Sequence, residues 1–208
     1  MLSEVPVLTN AGLWNEEIVS DVLARARAGD PDAFHAVFDR FAKPVLSFTY
    51  SLIGNRAVAE ELTQETFVRV HRRLASLHSD AQLSTWIFGI ARNVVRESFR
   101  KRYRRQQRVD LEEGESLDLE DSASRPDERL IAEELQRTIR SALARLPADH
   151  RLVFVLKVIN RMNYREIASI TGSSVGKLKT DLHRARLEMR QKLLPYVGKE
   201  PTGMRGES

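Results

Sequence analysis

The chain has 208 residues, of which 42% are hydrophobic and 30% are charged, and it carries a formal net charge of +4. This composition is typical of a soluble globular protein with one ordinary domain or two small ones, and it excludes collagen-like and membrane-embedded classes. The absence of cysteine also excludes disulfide frameworks, thiolate metal sites and cysteine nucleophiles.

Helical periodicity dominates the N-terminal half, and no segment alternates like a strand. A first helix is predicted to begin after Asn15 and to end at Gly29. The Asp-Pro pair at 30–31 predicts the cap and first turn of a second helix, which passes a kink expected near Pro44 and ends before Gly54. The residues predicted for the core face of these two helices are Ile18, Val19, Val22, Leu23, Ala26, Phe34, Val37, Phe38, Phe41, Val45, Phe48, Leu52 and Ile53.

Two further helices complete this region. The third is predicted from Arg56 to Leu77, and the fourth follows the polar stretch SLHSDAQLS. The fourth ends in a basic run, with eight Arg or Lys and one acid between Arg92 and Arg108. Basic and aromatic side chains together can bind unpaired DNA strands, although such a run is also typical of a solvated helix end. The core faces predicted are Ala59, Leu62, Thr66, Val70 and Leu74, then Trp86, Ile87, Ile90, Val94 and Phe99.

The sign of the charge reverses after this run. Residues 110–128 hold nine acids against one arginine and show no apolar period, so they cannot bury enough apolar surface to offset the entropy of ordering. We therefore predict an all-α chain of two small helical domains joined by a flexible acidic linker. The predicted boundaries are an N-terminal extension at 1–14, a first domain at 15–106, the linker at 107–127, a second domain at 128–197 and a disordered tail at 198–208.

The second domain carries the most specific local pattern, with helices predicted at 128–145, 148–160, 164–171 and 174–194. The last two helices, joined by a tight turn at Gly172, have the spacing of a helix-turn-helix, whose second helix enters the major groove of DNA. A plain helical hairpin with a solvated basic face would show the same pattern. The residues predicted to point outward are Ser174, Lys177, Thr180, Asp181 and Arg184, with Val175, Leu178 and Leu182 in the core.

No feature of the sequence supports catalysis. The five histidines lack the spacing of a helical metal site, and there is no glycine-rich phosphate loop or serine elbow. We therefore expect no enzymatic activity, no metal and no cofactor. Because the N-terminal residues do not resemble a signal peptide and no apolar run approaches the ~20 residues of a membrane span, we expect a cytoplasmic protein without membrane insertion.

Three segments of the chain occur in a characteristic order: AEELTQETFVRVHRRL, LSTWIFGIARNVVRESFRKRYRR and LPADHRLVFVLKVINRMNYREIASITGSSVGKLKTDLHRARLEMRQKL. Together they closely resemble the extracytoplasmic-function (ECF) sigma factors of bacterial RNA polymerase, within the sigma-70 family. The resemblance extends from about Glu16 to Tyr196. It implies a dissociable, non-enzymatic initiation subunit that binds core polymerase, recognises a two-part promoter and helps to open the duplex. The implied partners are promoter DNA, core polymerase, through the coiled coil of its largest subunit and its flap, and an anti-sigma factor. The resemblance also implies a role in a stress or envelope response and a subunit that is monomeric when free.

The resemblance assigns roles to residues of the first domain. The family's motif that docks on polymerase corresponds to Glu60, Glu61, Leu62, Thr63, Gln64, Glu65 and Phe67, although Leu62 or Phe67 can instead belong to the core. The loop and helix start at 77–86 imply capture of a base flipped from the downstream promoter element, and the basic run implies binding of the opened strand. The residues implied for these contacts are His78, Ser79, Asp80, Trp86, Arg92, Asn93, Arg96, Arg100, Lys101 and Arg102.

Recognition of the upstream element as duplex DNA is implied for Ser173, Ser174, Lys177, Lys179, Thr180, Asp181, Arg184 and Arg186. Asp181 departs from the family pattern, which has arginine at this position and threonine at that of Lys177. Two interpretations of Asp181 remain open. It pairs with Lys177 at i, i+4 spacing, or it accepts a hydrogen bond from the amino group of a cytosine.

The competing function is a stand-alone helix-turn-helix regulator that does not need core polymerase, followed by an RNA-binding protein. If the chain is a sigma factor, the length of the predicted linker can be compared with the separation of the two promoter elements. About 20 flexible residues span roughly 22 to 27 Å on average, whereas the two turns of duplex between the promoter elements occupy ~70 Å. We therefore expect core polymerase to hold the two domains apart.

Overall fold

The computed structural model of the protein describes residues 16–77, 83–109 and 129–197. These residues are helical or lie in turns, with no strand among them, which confirms the predicted all-α class. The predicted N-terminal extension, residues 110–128 of the acidic segment and the tail from 198 lie outside the described residues. The helices are α1 (Glu16–Arg27), α2 (Pro31–Ile53), α3 (Arg56–Arg73), α4 (Leu83–Val109), α5 (Arg129–Arg145), α6 (Ala148–Phe154), α7 (Tyr164–Thr171) and α8 (Val175–Val197), with a 3₁₀ turn at Leu74–Ser76.

Helices α1 to α4 form the N-terminal bundle, and local capping sets their ends. The carboxylate of Asp30 accepts hydrogen bonds from the backbone N–H groups of Asp32 at 2.9 Å and Ala33 at 3.3 Å, which satisfies donors that the first turn of α2 leaves free. Helix α2 then continues through Pro44 as one element and ends at Gly54, whose φ of 79° is left-handed. The side chain of Asn55 caps α3.

Among the described side chains of the predicted core faces, two are exposed, four are half-buried (Val22, Ala26, Phe34 and Trp86) and the others are buried, while the side chains of Ile18 and Val19 lie outside the described ones. Phe38 is 37% exposed and Phe99 is 46% exposed, so placing them in the core was wrong. Phe38 lies at the edge of the stripe, where its ring meets that of Phe67 edge-on at 4.8 Å. Every residue from 99 to 104 is exposed, because the end of α4 projects beyond the helices that cover its first turns.

Helices α5 to α8 form the C-terminal bundle. The predicted helix at 148–160 is present, but its last turn is a π-helix over Val155–Ile159. The wider turn is closed by the backbone N–H of Asn160, which donates to the carbonyl of Val155 at 3.0 Å. Arg161 then adopts a left-handed φ of 54°, which redirects the chain into α7.

The two bundles pack against each other through one continuous hydrophobic cluster. Arginines at this contact donate from the second bundle to the first: Arg151 bonds the carbonyl of Leu52 at 3.0 Å, and Arg140 bonds the hydroxyl of Tyr50 at 2.5 Å. The carbonyl of Leu52 lies in the last turn of α2, where a cation complements the negative end of the helix. The described halves therefore form one packed body.

Candidate functional site

The helix-turn-helix is built by local capping on both sides of its turn. Asn163 accepts hydrogen bonds from the backbone of Arg165 at 2.9 Å and Glu166 at 3.0 Å, and Glu166 bonds back to the backbone of Asn163, which completes a capping box at the start of α7. Gly172 ends α7 with a left-handed φ of 72°. The hydroxyl of Ser174 accepts from the backbone of Lys177 at 3.3 Å and begins α8. The predicted helix-turn-helix is therefore present.

Helix α8 presents a polar outer face. The upstream-element residues Ser174, Lys177, Lys179, Thr180, Arg184 and Arg186 are exposed, and Ser173 is half-buried. Lys179 extends toward α7, where its ammonium lies 5.9 Å from the centre of the Tyr164 ring. Leu178 and Leu182 are buried as predicted, but Val175 is 37% exposed, so placing it in the core was wrong. Val175 is the first residue of α8 and lies at the open edge of the turn.

Asp181 does not point outward as predicted; it is only 7% exposed. It follows Leu178 by three residues and precedes Ala185 by four, so it shares the buried stripe of α8. Its carboxylate accepts a hydrogen bond from the ammonium of Lys177 at 2.6 Å. The i, i+3 spacing from Leu178 was the signal in the sequence that could have placed it.

A second carboxylate holds the same ammonium. Asp149, on α6, accepts from Lys177 at 2.8 Å. Both hydrogen bonds raise the pKa of Lys177, and the bond to Asp149 has the larger effect. The bond to Lys177 in turn lowers the pKa of Asp149. The half-buried ring of His150 completes the group, with Nε2 3.9 Å from Asp181 and Nδ1 3.2 Å from Glu188. Asp149 and His150 were missed, because they lie far from α8 in the sequence.

The docking motif on α3 separates into two faces. Glu60, Glu61 and Gln64 are exposed and Glu65 is half-buried, whereas Leu62, Thr63 and Phe67 are buried. Thr63 donates to the carbonyl of Ala59 at 2.7 Å and meets the hydroxyl of Thr49 at 3.0 Å. Leu62, Thr63 and Phe67 therefore belong to the core. Of the motif, Glu60, Glu61, Gln64 and Glu65 remain available to a partner.

Arg69 connects this face to α4 and was not predicted as a site residue. Its guanidinium donates two parallel hydrogen bonds to the carboxylate of Glu97, at 2.9 and 2.8 Å, and a third to Glu65 at 2.7 Å. The Glu97 and Glu65 carboxylates raise the pKa of Arg69, and Arg69 lowers that of Glu97. A groove between α3 and α4 runs along this bridge, lined by Glu61, Gln64, Val68, Ser98 and Lys101 among others.

The basic residues of α4 have two different surroundings. Asn93, Arg96, Arg100, Lys101 and Arg102 are exposed, as are the aromatic rings of Phe99 and Tyr103. Arg92 is half-buried and donates to the carbonyls of Ile170 at 3.2 Å and Thr171 at 3.3 Å at the end of α7. Trp86 is half-buried against the core. His78, Ser79 and Asp80 lie outside the described residues.

The described residues contain neither a cluster of metal ligands nor a membrane-spanning helix. In residues 16–77, 83–109 and 129–197, no three His, Cys, Asp or Glu side chains are grouped as a metal would require. None of the helices in this part of the chain combines the length and apolar character that a membrane span requires.

Comparisons with known proteins match both bundles. Residues 37–105 match the family model described as Sigma-70 region 2, and residues 136–189 match Sigma-70, region 4. The ECF RNA polymerase sigma factor SigW of Bacillus subtilis is 30% identical over 183 residues, covering 86% of this chain and 98% of the relative. The ECF RNA polymerase sigma-E factor of Escherichia coli is 27% identical over 189 residues, covering 88% of this chain and 98% of that protein.

Solved structures show the same fold. The sigma factor RpoE of Bartonella quintana, in complex with the anti-sigma factor NepR, superposes with a TM-score of 0.64 at 25% identity, covering 77% of this chain and 96% of that chain. CnrH, in complex with the cytosolic domain of CnrY, gives a TM-score of 0.61 at 23% identity, covering 84% of this chain and 96% of that chain.

Proposed function

The chain belongs to the ECF sigma factors of the sigma-70 family, and we propose that it acts as a dissociable, non-enzymatic initiation subunit that brings core RNA polymerase to two-part promoters and helps to open them. The observation that carries the proposal is the order of three surfaces in one chain. An exposed acidic and amide face on α3 is followed by the basic, aromatic end of α4 and by the helix-turn-helix of α7 and α8.

The face on α3 is proposed to dock on the coiled coil of the largest polymerase subunit. Its exposed members, Glu60, Glu61 and Gln64, offer carboxylate and amide groups to a partner while their buried neighbours hold the helix in place. The half-buried Glu65 is oriented by Arg69. Polar groups at an exposed rim favour specific orientation over raw affinity.

The end of α4 is proposed to hold the opened downstream strand. Arg96, Arg100, Lys101 and Arg102 can neutralise phosphates, and the exposed rings of Phe99 and Tyr103 offer stacking surfaces for unpaired bases. The outer face of α8, with Lys177, Lys179, Thr180, Arg184 and Arg186, is proposed to enter the major groove of the upstream element. Ser173 and Ser174 lie at the turn, where backbone and hydroxyl groups can bind a phosphate.

Control by an anti-sigma factor is part of the proposal. The sigma factor RpoE of Bartonella quintana has been solved in complex with the anti-sigma factor NepR, and CnrH, which shares the fold, has been solved in complex with the cytosolic domain of CnrY. We propose that a partner of this kind holds the present chain inactive in the cytoplasm.

Run-off transcription with purified core polymerase and a promoter library tests this function. We expect promoter-specific transcripts that depend on the added chain, and we expect Glu61→Arg combined with Gln64→Ala to weaken core binding because both residues are exposed on the docking face. Asp21→Arg is the control, since it makes the same charge change at an exposed position of α1. Specific duplex binding without any core-dependent transcript would instead identify a stand-alone regulator.

A further inference from the structure

The ammonium of Lys177 is held at the start of the recognition helix by carboxylates from two helices. Asp149 of α6 accepts at 2.8 Å and Asp181 of α8 at 2.6 Å. A lysine ammonium has three N–H donors, so these contacts leave one. Lys177 itself is exposed, and the remaining donor is therefore available to a ligand of α8.

The two carboxylates differ in their surroundings. The side chain of Asp181 is only 10% exposed, whereas that of Asp149 is 71% exposed. A buried carboxylate is costly unless it is paired, so Asp181 keeps Lys177 close to the helix. Its burial also removes Asp181 from the surface that DNA contacts, which argues against direct reading of a cytosine.

The net charge of this group favours a base over a phosphate. Asp149, Lys177 and Asp181 sum to one negative charge, so the clamped lysine does not attract phosphate as a free lysine does. A single oriented N–H donor suits an acceptor on a base edge. In the major groove guanine presents two such acceptors, N7 and O6, and lysine is one of the residues that commonly bind them.

We propose that Asp149 and Asp181 are positioning residues that orient Lys177 as a directed donor to a guanine in the upstream promoter element, and that Asp181 itself does not contact DNA. This inference rests on the proposed function. On this proposal the two departures from the family pattern, Lys177 in place of threonine and Asp181 in place of arginine, depend on each other, because the acid one turn later orients the lysine.

The experiment selects upstream elements from a randomised promoter library with full-length chain and core polymerase. The wild type is expected to enrich guanine at one position of the element. Asp149→Asn and Asp181→Asn should each reduce that enrichment at least about fivefold, the lower end of what one good base contact contributes. Lys177→Met should abolish it at the same position.

Binding to non-specific duplex distinguishes positioning from structural damage. Asp149→Asn removes a negative charge near DNA, so its non-specific affinity should rise while its base preference falls. A folding defect would lower both. Glu188→Gln is the matched control, because it makes the same charge change on α8, the helix of Asp181, beside His150, and it should leave the guanine preference unchanged.

Three results would overturn the inference. The first is an unchanged base preference in Asp149→Asn, whose exposed side chain carries the test even if Asp181→Asn fails to fold. The second is a uniform loss of affinity in Lys177→Met together with a salt slope reduced by about one, which identifies a phosphate contact. The third is a lost cytosine preference in Asp181→Asn. Failure of the proposed function looks different, since the wild type would then give no core-dependent transcript.

Discussion

At the scale of single residues, the backbone of Gly172 sets the angle between the two helices of the DNA-binding motif. Its φ of 72° lies in the left-handed region, and a Cβ built at this position would meet no atom within 4 Å. Any cost of a side chain here therefore comes from the backbone alone. Gly89 lies inside α4 without a left-handed φ, and a Cβ built there would also meet no atom within 4 Å.

These two glycines should respond to alanine with opposite signs. We expect Gly172→Ala to lower the free energy of unfolding by about 1 kcal/mol, because left-handed backbone is strained for an L side chain. We expect Gly89→Ala to raise it by roughly 0.5 to 1 kcal/mol, because alanine favours the helix interior. Urea denaturation of both variants measures the difference, and a stabilised Gly172→Ala variant would contradict the assigned conformation.

At the scale of helices, the Arg69–Glu97 bridge joins the docking helix to the DNA-binding helix. The contact is bidentate and so restricts the rotation of α3 against α4 more than a single bond would. Because the side chain of Glu97 is 45% exposed, solvent screens the pair and its contribution to stability stays small. Its main consequence is geometric, since it orients Glu65 through the shared guanidinium.

The bridge should make part of the stability dependent on pH. Arg69 lowers the pKa of Glu97 below its ordinary value of 4.5, so the stabilisation is present above that value and is lost as the pH falls through the lower, folded-state pKa. Glu97→Gln should cost about 0.5 to 1 kcal/mol at neutral pH, and this difference should disappear in acid. Denaturant titrations across that range test it. Glu60→Gln, which breaks an exposed pair within α3, is the control and should show a smaller loss.

At the scale of the whole molecule, the contact between the two bundles engages residues that the proposed function needs for binding DNA. Arg92 was predicted to bind the opened strand, but here its guanidinium bonds the last carbonyls of α7. The two bundles touch, whereas the promoter elements are ~70 Å apart on duplex DNA. A chain that acts as proposed must therefore separate its bundles when it binds core polymerase.

Distance measurements between the bundles test this separation. The chain lacks cysteine, so single cysteines at the exposed positions Arg73 and Arg190 can carry a donor and an acceptor dye. We expect high transfer efficiency in the free chain and a large loss of efficiency when core polymerase is added.

Arg92→Ala should lower the transfer efficiency of the free chain, because it removes two bonds between the bundles. Arg96→Ala changes an exposed arginine one turn later on α4 and should not. Equal efficiencies with and without core polymerase would contradict the predicted separation.

The sequence by itself determined the helices, the helix-turn-helix and the family. Caps such as Asp30 and Asn163, and glycines such as Gly54 and Gly172, act on their immediate neighbours, so local spacing is enough to locate them. Helix α7 begins and ends where predicted for this reason. The burial of Thr63 and Phe67 also follows the helical period, whereas Glu60, Glu61 and Gln64 of the same motif are exposed.

Tertiary structure decided which charges are available. Lys177 finds Asp149 across 28 positions of sequence, and Arg92 finds Ile170 across 78. No local period predicts such pairs, because they depend on how separate helices pack. Asp181 shows the difference most clearly: its spacing from Leu178 places it on the buried stripe and its spacing from Lys177 supplies a local partner, but only packing against α6 brings a second carboxylate, Asp149, to the same ammonium. The ammonium of Lys177 supplies the opposing charge that the buried Asp181 needs, and the two carboxylates share it.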